Sequence, residues 1–391
     1  MNFLYRCLVF IATLSLHAQQ LPPKPAYPFG IKQIHSGHSL TDPLFYPHWP
    51  GQYVNLMSSV TGIPAWQLSN VTIGKSTAPG SSMMYRWDNK ISNGAPDARL
   101  DIANWEVLSI TEVVPLAVEG GSTQSWYLNR LQQQRTYLSN FVNNAWSNGN
   151  GGKGVPTLLW TTWTNIDGKD GPFREMLDSQ GKEWEAMQEY ANKNRPAGAP
   201  PVYIIPGHKM MARMYDDIQK GIVPGITDIK QLFSDNIHTN ELGAYAIAMI
   251  HYACMYNKSP IGLPNQLIPN PPANTPIPTP EFAGYVQRMV WEVVTSYPRS
   301  GIKIQSTDVT SEEGSLQFRQ SGNALFFEHP QHESVYIKLY DMRGVLIHSE
   351  CIGSGNELSL TGYQTGVYAY TINSMKGDFM YGDVIVITGE R

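Results

Sequence analysis

Charge is scarce in this chain. Of its 391 residues only 15% are Asp, Glu, Lys or Arg, and the formal net charge is −4. No Lys/Arg cluster forms a stripe able to track phosphates, which argues against a nucleic-acid partner. Cysteine is scarcer still, at three residues, and no zinc-type Cys/His spacing or EF-hand pattern accompanies them. Neither a required metal nor any other cofactor is therefore expected. No apolar run is long enough to span a bilayer.

The first twenty residues, MNFLYRCLVFIATLSLHAQQ, supply the one concentrated apolar segment. Arg6 forms a positive leading region, Cys7 to Leu16 an apolar stretch, and Leu16-His17-Ala18 a small-residue cleavage signature. This reads as an export signal, residues 1–18, in preference to a buried N-terminal helix. Removing it leaves Cys254 and Cys351, which fall in different expected domains, so no disulfide framework is expected despite an oxidising destination.

The length accommodates two domains. Short apolar runs stand at Ile31–His35, Trp105–Ile110, Val155–Thr161 and Val202–Pro206, bounded by polar, Gly or Pro residues as buried parallel strands are. Helical spacing lies between them. After Ser122-Thr123, residues suited to an N-cap, apolar positions recur from Tyr127 to Ala145. Further helices are expected over Phe173–Asn194, after Asn240, and over Phe282–Thr295. This alternation implies a doubly wound α/β domain over residues 19–302, with functional residues at the carboxyl ends of its strands. The segment Ser259–Pro280, with eight prolines, reads as an extended loop on that domain's surface. The composition shifts at Ser306–Ser321, giving a linker over 303–322. Beyond it, over 323–391, the period becomes two between Gly turns, as in a small antiparallel β-sandwich.

The first strand runs into Ser-Gly-His-Ser. A serine held beside a turn glycine at a strand end is placed as a nucleophile would be, although Gly/Ser turns are common everywhere. A serine hydroxyl is a weak nucleophile without a base, and the base needs an orienting group. Ten histidines compete. His48 sits in an aromatic-rich loop, His251 on a helix, and His329, His332 and His348 in the sandwich. His208 follows a strand and reads as a turn histidine with a structural hydrogen bond. His238 differs, because Asp235 lies three residues earlier in FSDNIHTNELGAYA, directly before a helix.

SGHSLTD near the start and DNIHTNELGAYAIA late in the same domain resemble the first and last blocks of the SGNH hydrolases, the GDSL esterase/lipase superfamily. The resemblance covers roughly Gly30 to Arg299. It implies a flavodoxin-like α/β/α three-layer sandwich and a triad of Ser39 as nucleophile, His238 as general base and acid, and Asp235 as orienting carboxylate. His38 stands where the family usually has Asp, and is a candidate substrate contact. The resemblance also implies an oxyanion hole built from the Ser39 N–H, a glycine after the second strand (Gly80, with Gly74 the alternative) and an Asn after the third. That Asn is missing: the chain reads Thr111-Glu112-Val113-Val114. A bare carboxylate facing a developing oxyanion would raise the barrier. Either Thr111 donates its hydroxyl, or Glu112 points elsewhere, or the hole runs on two backbone donors; a substrate contact is the role expected of Glu112.

Trp160 and Trp163 stand at and beyond the end of the fourth strand, with Trp49, Trp66 and Trp87 in earlier loops. Sugar rings stack on such faces, so Trp160 and Trp163 are expected substrate contacts as well as possible core residues. A polar, aromatic, exported hydrolase suits an acylated carbohydrate, with acetyl suggested by the family likeness alone. A lipid or aryl-ester hydrolase on the same triad, and an inactive carbohydrate-binding member, are the alternatives. The elements VYIKLYDMRGVLI, LSLTGYQTGVYAYTI and DVIVI resemble the C-terminal sorting domain of the type IX secretion system of Bacteroidetes. That likeness implies export to the outer surface or medium, with the secretion machinery as partner; a monomer is expected.

Overall fold

The computed structural model describes residues 21–45, 51–69, 71–91, 95–116 and 124–303, and then most of 317–387 in short stretches. The proposed export signal, Trp49, His48, Ser122-Thr123 and most of the expected linker lie outside these residues.

Five parallel strands form the central sheet: β1 (Gln33–Gly37), β2 (Ile73–Thr77), β3 (Val107–Ile110), β4 (Thr157–Trp160) and β5 (Tyr203–Ile205). Their order is β2-β1-β3-β4-β5, the flavodoxin-like arrangement. Every strand except the edge strand β2 is buried throughout, which suits a sheet covered on both faces. Strand side chains alternate between two cores. Leu158, Trp160, Tyr203 and Ile205 enter one, while Leu159 and Ile204 enter the other.

The first core is closed by α1 (Gln52–Thr61), α6 (Gly207–Gln219), α7 (Glu241–Tyr256) and α8 (Pro280–Ser296), with the short α2 (Ala65–Leu68) at its margin. The second lies under α3 (Met83–Asp88), α4 (Gln124–Asn148) and most of α5 (Phe173–Asn194). Helix α7 is buried on all sides from Gly243 to Tyr256, as a helix apolar around its whole circumference must be. Each fully buried aliphatic side chain in these cores contributes about 1.5–3 kcal/mol of transfer free energy. Residues 257–279 form no helix or strand. They run over α7 and α8, with Tyr245 donating to the Pro264 carbonyl and Gln287 to that of Leu263.

β2 has a single large apolar residue in IGKST, which is why no apolar run announces it. Trp105 falls outside β3 and packs on Gly74, where an added Cβ would lie 2.4 Å from the indole.

The C-terminal region is antiparallel: β6 (Gln317–Ser321), β7 (Ala324–Glu328), β8 (Val335–Tyr340), β9 (Leu346–Ile352), β10 (Glu357–Ser359), β11 (Gly366–Ser374) and β12 (Met380–Ile387). They form two sheets, ordered β10-β7-β6 and β12-β11-β8-β9. Val335, Ile337 and Leu339 alternate inward along β8 and join Leu325, Ile352, Leu358 and Ile372 in a small core. The end of the expected linker is thus ordered, since Gln317–Ser321 pairs with β7.

Candidate active site

β1 ends at Gly37 because the chain must turn sharply there. A Cβ at Gly37 would fall 2.2 Å from the Thr41 hydroxyl, so only glycine lets the following turn fold back this closely. His38 O then accepts from Thr41 N at 2.8 Å, and a single 3₁₀ turn, Asp42–Leu44, continues the chain. Asp42 anchors this turn to the neighbouring strand through Thr77 Oγ1 (2.6 Å) and Lys75 Nζ (3.1 Å). Ser39 stands half-buried at the crest.

Residues 233–239 form a closed loop opposite it. Phe233 and Thr239 pair across its base, and Ser234 N donates to the His238 carbonyl at 2.8 Å. Asn240 locks the exit. Its side-chain oxygen caps α7 by accepting from Leu242 N and Gly243 N, and its amide donates back to Gln231 O. Gly243 is required there because a Cβ would lie 2.5 Å from Leu232 O.

Asp235 Oδ1 accepts from the backbone N–H groups of Ile237 (2.8 Å) and His238 (2.7 Å), and Oδ2 lies 2.7 Å from His238 Nδ1. Burial pushes the Asp235 carboxyl up, but these hydrogen bonds outweigh it and hold the group below its ordinary range. An ionised carboxylate only accepts, so Nδ1 carries the proton and Nε2 is free to accept. His238 Nε2 lies 2.8 Å from Ser39 Oγ, across 199 residues of sequence. Ser39, His238 and Asp235 therefore form one continuous hydrogen-bonded chain, and their order is the one general-base activation of a hydroxyl requires. Two of its members face solvent, with side-chain exposures of 40% for His238 and 55% for Asp235, which leaves room for a bulky substrate.

Sequence reasoning missed the groups that hold this loop in place. Trp163 Nε1 donates to Ile237 O (2.9 Å), Ile166 N to Asn236 O (2.8 Å), and Asn236 Nδ2 to Asp167 Oδ2 (2.7 Å). The segment after β4 therefore buttresses the segment before α7. No local pattern signals this, because the partners lie about seventy residues apart.

Four expected substrate contacts are corrected. Trp160 (1% exposed) and Trp163 (0%) are core residues, packed edge to face on each other. His38 is buried, with Nε2 donating to Glu112 O at 3.0 Å, and burial lowers its pKa to about 4. Glu112 is buried as well. Its carboxylate accepts from Val113 N (2.7 Å) and Met83 N (3.2 Å), so it closes the first turn of α3 instead of meeting solvent. Burial raises its pKa, opposed by the charge of Arg86.

Arg86 is the centre of this buried layer. Its guanidinium donates to Ser36 Oγ (3.1 Å), Ser81 O (2.6 Å), Ser81 Oγ (3.0 Å) and Thr111 O. It thereby ties the end of β1 to the residue after β3 and to the loop between β2 and α3. Burial brings its pKa down to about 10.

The Thr111 expectation is also corrected. Thr111 is fully buried, its N–H donates to Ser36 O at 3.1 Å, and its hydroxyl points to Glu112 O. Neither donor is directed at Ser39. Gly74 is a strand residue packed under Trp105. Gly80 lies exposed in the turn after β2, in the left-handed region at φ +64°. His208 is structural: it is buried, 2.7 Å from Thr161 Oγ1, and burial lowers its pKa to about 3.

No family model and no curated protein matches the sequence. Among solved structures, a DUF4886 family protein from Bacteroides uniformis is 16% identical, with a TM-score of 0.46 over 69% of this chain and 96% of its own. A gut microbial diltiazem-metabolizing enzyme is 14% identical, with a TM-score of 0.39 over 61% of this chain and 48% of its own. A phospholipase A1 from Streptomyces albidoflavus is 10% identical, with a TM-score of 0.30 over 55% of this chain and 94% of its own. Scores this low carry no argument about chemistry. The fold rests on the observed sheet order, and the chemistry on the geometry around Ser39.

Proposed function

We propose that this chain is an exported serine ester hydrolase of the SGNH type that removes acyl groups, acetyl first, from a polysaccharide or oligosaccharide. The observation that carries the reading is the Ser39–His238–Asp235 chain at the carboxyl ends of β1 and of the segment before α7.

In this reading Ser39 Oγ attacks the ester carbonyl carbon while His238 Nε2 takes the hydroxyl proton. Asp235 holds the ring in the tautomer that can accept it and stabilises the imidazolium. The imidazolium returns the proton to the leaving sugar oxygen, leaving an acyl ester on Ser39. Water attacks that ester as His238 again takes the proton, and His238 returns it to Ser39 Oγ as the bond to the acyl carbon breaks and the carboxylic acid departs. With Thr111 and Glu112 both turned inward, the oxyanion is assigned two backbone donors, Ser39 N–H and Gly80 N–H. Losing a third donor typically costs about a hundredfold in rate, so a modest turnover is expected. The exposure of His238 and Asp235 supports a polymeric substrate over a lipid taken up beneath an apolar lid.

Residues 323–391 are assigned to sorting through the type IX secretion machinery, supported by the motif likeness and by the antiparallel strands that carry those motifs. Fusion of that segment to a reporter, followed by assay of its export, tests the assignment.

The catalytic reading is tested by acetate and methanol release from plant and algal glycans and by nitrophenyl esters of increasing chain length, each with wild type and Ser39→Ala. Acetate release and a preference for acetate over octanoate are expected. The variant should be silent and nearly as stable as wild type, because a half-buried turn hydroxyl adds little packing. More than a few per cent of activity remaining in Ser39→Ala would remove Ser39 from the mechanism. Octanoate preference would redirect the reading to lipid esters.

A further inference from the structure

Away from Ser39, residues of α1, α2 and the proline-rich segment line an open groove with about 540 Å³ of accessible space. That volume lies within the ~300–1,000 Å³ of small-ligand sites. Its walls are mixed in character. Asn55, Ser58, Ser59 and Gln266 supply neutral hydrogen-bonding groups, and Trp66 supplies an aromatic face. Among the described residues, no charged side chain lines it.

Trp66 is 70% exposed, and among the described side chains no other tryptophan is exposed. An indole left this far in water forfeits the burial that usually justifies so large an apolar surface. Leu267 and Ile268 on the same lining are buried at 7% and 5% exposure. A flat aromatic face beside amides and hydroxyls, with no charge, matches a ligand that has apolar C–H faces, hydroxyl edges and no net charge. A neutral sugar has that chemistry. An anionic ligand would find no cation here.

The position separates this groove from the triad. Gln52 Nε2 donates to Glu241 O at 3.3 Å, so the start of α1 abuts the end of the catalytic loop. Ser58 and Ser59 lie two helical turns further on, roughly 10 Å along the axis. Ala65 and Trp66 then precede β2, toward the amino ends of the strands, whereas Ser39 lies at the carboxyl ends.

We infer that this groove is a second saccharide site, which holds a neutral glycan chain on the Trp66 face while the triad stays free. The inference does not depend on ester hydrolysis. The full chain and its Trp66→Ala and Trp66→Phe variants are run in affinity electrophoresis through gels containing xylan, β-mannan or mixed-linkage β-glucan, and each is assayed on nitrophenyl acetate. Retardation of the wild type by at least one polysaccharide is expected. Trp66→Ala should weaken it about tenfold or more and Trp66→Phe should partly retain it. Hydrolysis of nitrophenyl acetate should be the same for all three, so an inactive enzyme with Trp66-dependent retardation would count against the esterase reading alone. Equal retardation of wild type and Trp66→Ala, or none by any of these neutral polysaccharides, would overturn the second site. Trp66-dependent self-association without polysaccharide binding would overturn it too.

Discussion

Two carboxylates at the strand ends of this molecule live under opposite conditions. Asp235 sits on an exposed loop, charged below its ordinary range because two backbone N–H groups and an imidazole donate to it. Glu112 is buried, and its pKa is raised by that burial against the pull of Arg86. The first is one turn of loop from its histidine and is free to respond to a proton arriving there. The second is fastened to Met83 N and Val113 N and joins the end of β3 to the first turn of α3. Under the proposed mechanism, the difference shows that nearness to Ser39 does not by itself give a charged residue a catalytic role. Exposure and the identity of its hydrogen-bond donors separate a group that handles protons from one that braces the floor.

The comparison is broken most severely at Asp235. Asp235→Asn keeps the loop's shape but can donate to the ring and favours the wrong tautomer, so kcat should fall by about 10³–10⁴-fold with the folding transition unchanged. Rates on nitrophenyl acetate read alongside thermal melts check this; a fall under tenfold would show that Asp235 does not orient His238.

Arg86→Met should do the reverse. Removing the guanidinium strips the donors from the buried Ser36, Ser81 and Thr111 and takes away a positive charge that favours ionised Glu112. Buried acceptors left without partners should cost about 3–5 kcal/mol of stability in total, measured by urea unfolding.

Acid sharpens the contrast further. Burial lowers the pKa of His38 and His251 from 6.5 to about 4, and lowers that of His208 to about 3. Between about 6.5 and 4 the unfolded chain binds protons that the native state refuses, so stability is full above about 6.5 and is lost as pH falls toward 4. His38 and His251 should each account for about 3 kcal/mol at full effect. Urea midpoints across that range check it, and His251→Gln should flatten the slope.

Glu112→Gln should be the mildest change. One amide oxygen still accepts from backbone, but the charge facing Arg86 is gone, at a cost of about 1–3 kcal/mol. KM should not move. A raised KM with unchanged stability would return Glu112 to the substrate.

Much of the site was legible because its chemistry is local. Asp235 and His238 are three residues apart, Asn240 caps the helix that follows, and Gly37 marks the turn that exposes Ser39. Phe173–Asn194 was legible to the residue, since its apolar positions recur over many turns. β2 was not, because its IGKST is only partly buried and carries a single large apolar residue. Trp160 and Trp163 were misread because a position at a strand end does not say which face a side chain enters. Trp160 follows Leu159 and so drops to the opposite core.

The sequence by itself determined the alternation of buried strands and amphipathic helices, the nucleophile turn and the Asp-His loop, since each depends on contacts within a few residues. Only the tertiary structure decided that Ser39 meets His238 across 199 residues, that Arg86 joins β1 to the residue after β3 and to the loop before α3, and that Glu112 and Thr111 turn inward. Those outcomes depend on which distant donors reach a group first, and a buried polar group takes the nearest partner that the fold supplies.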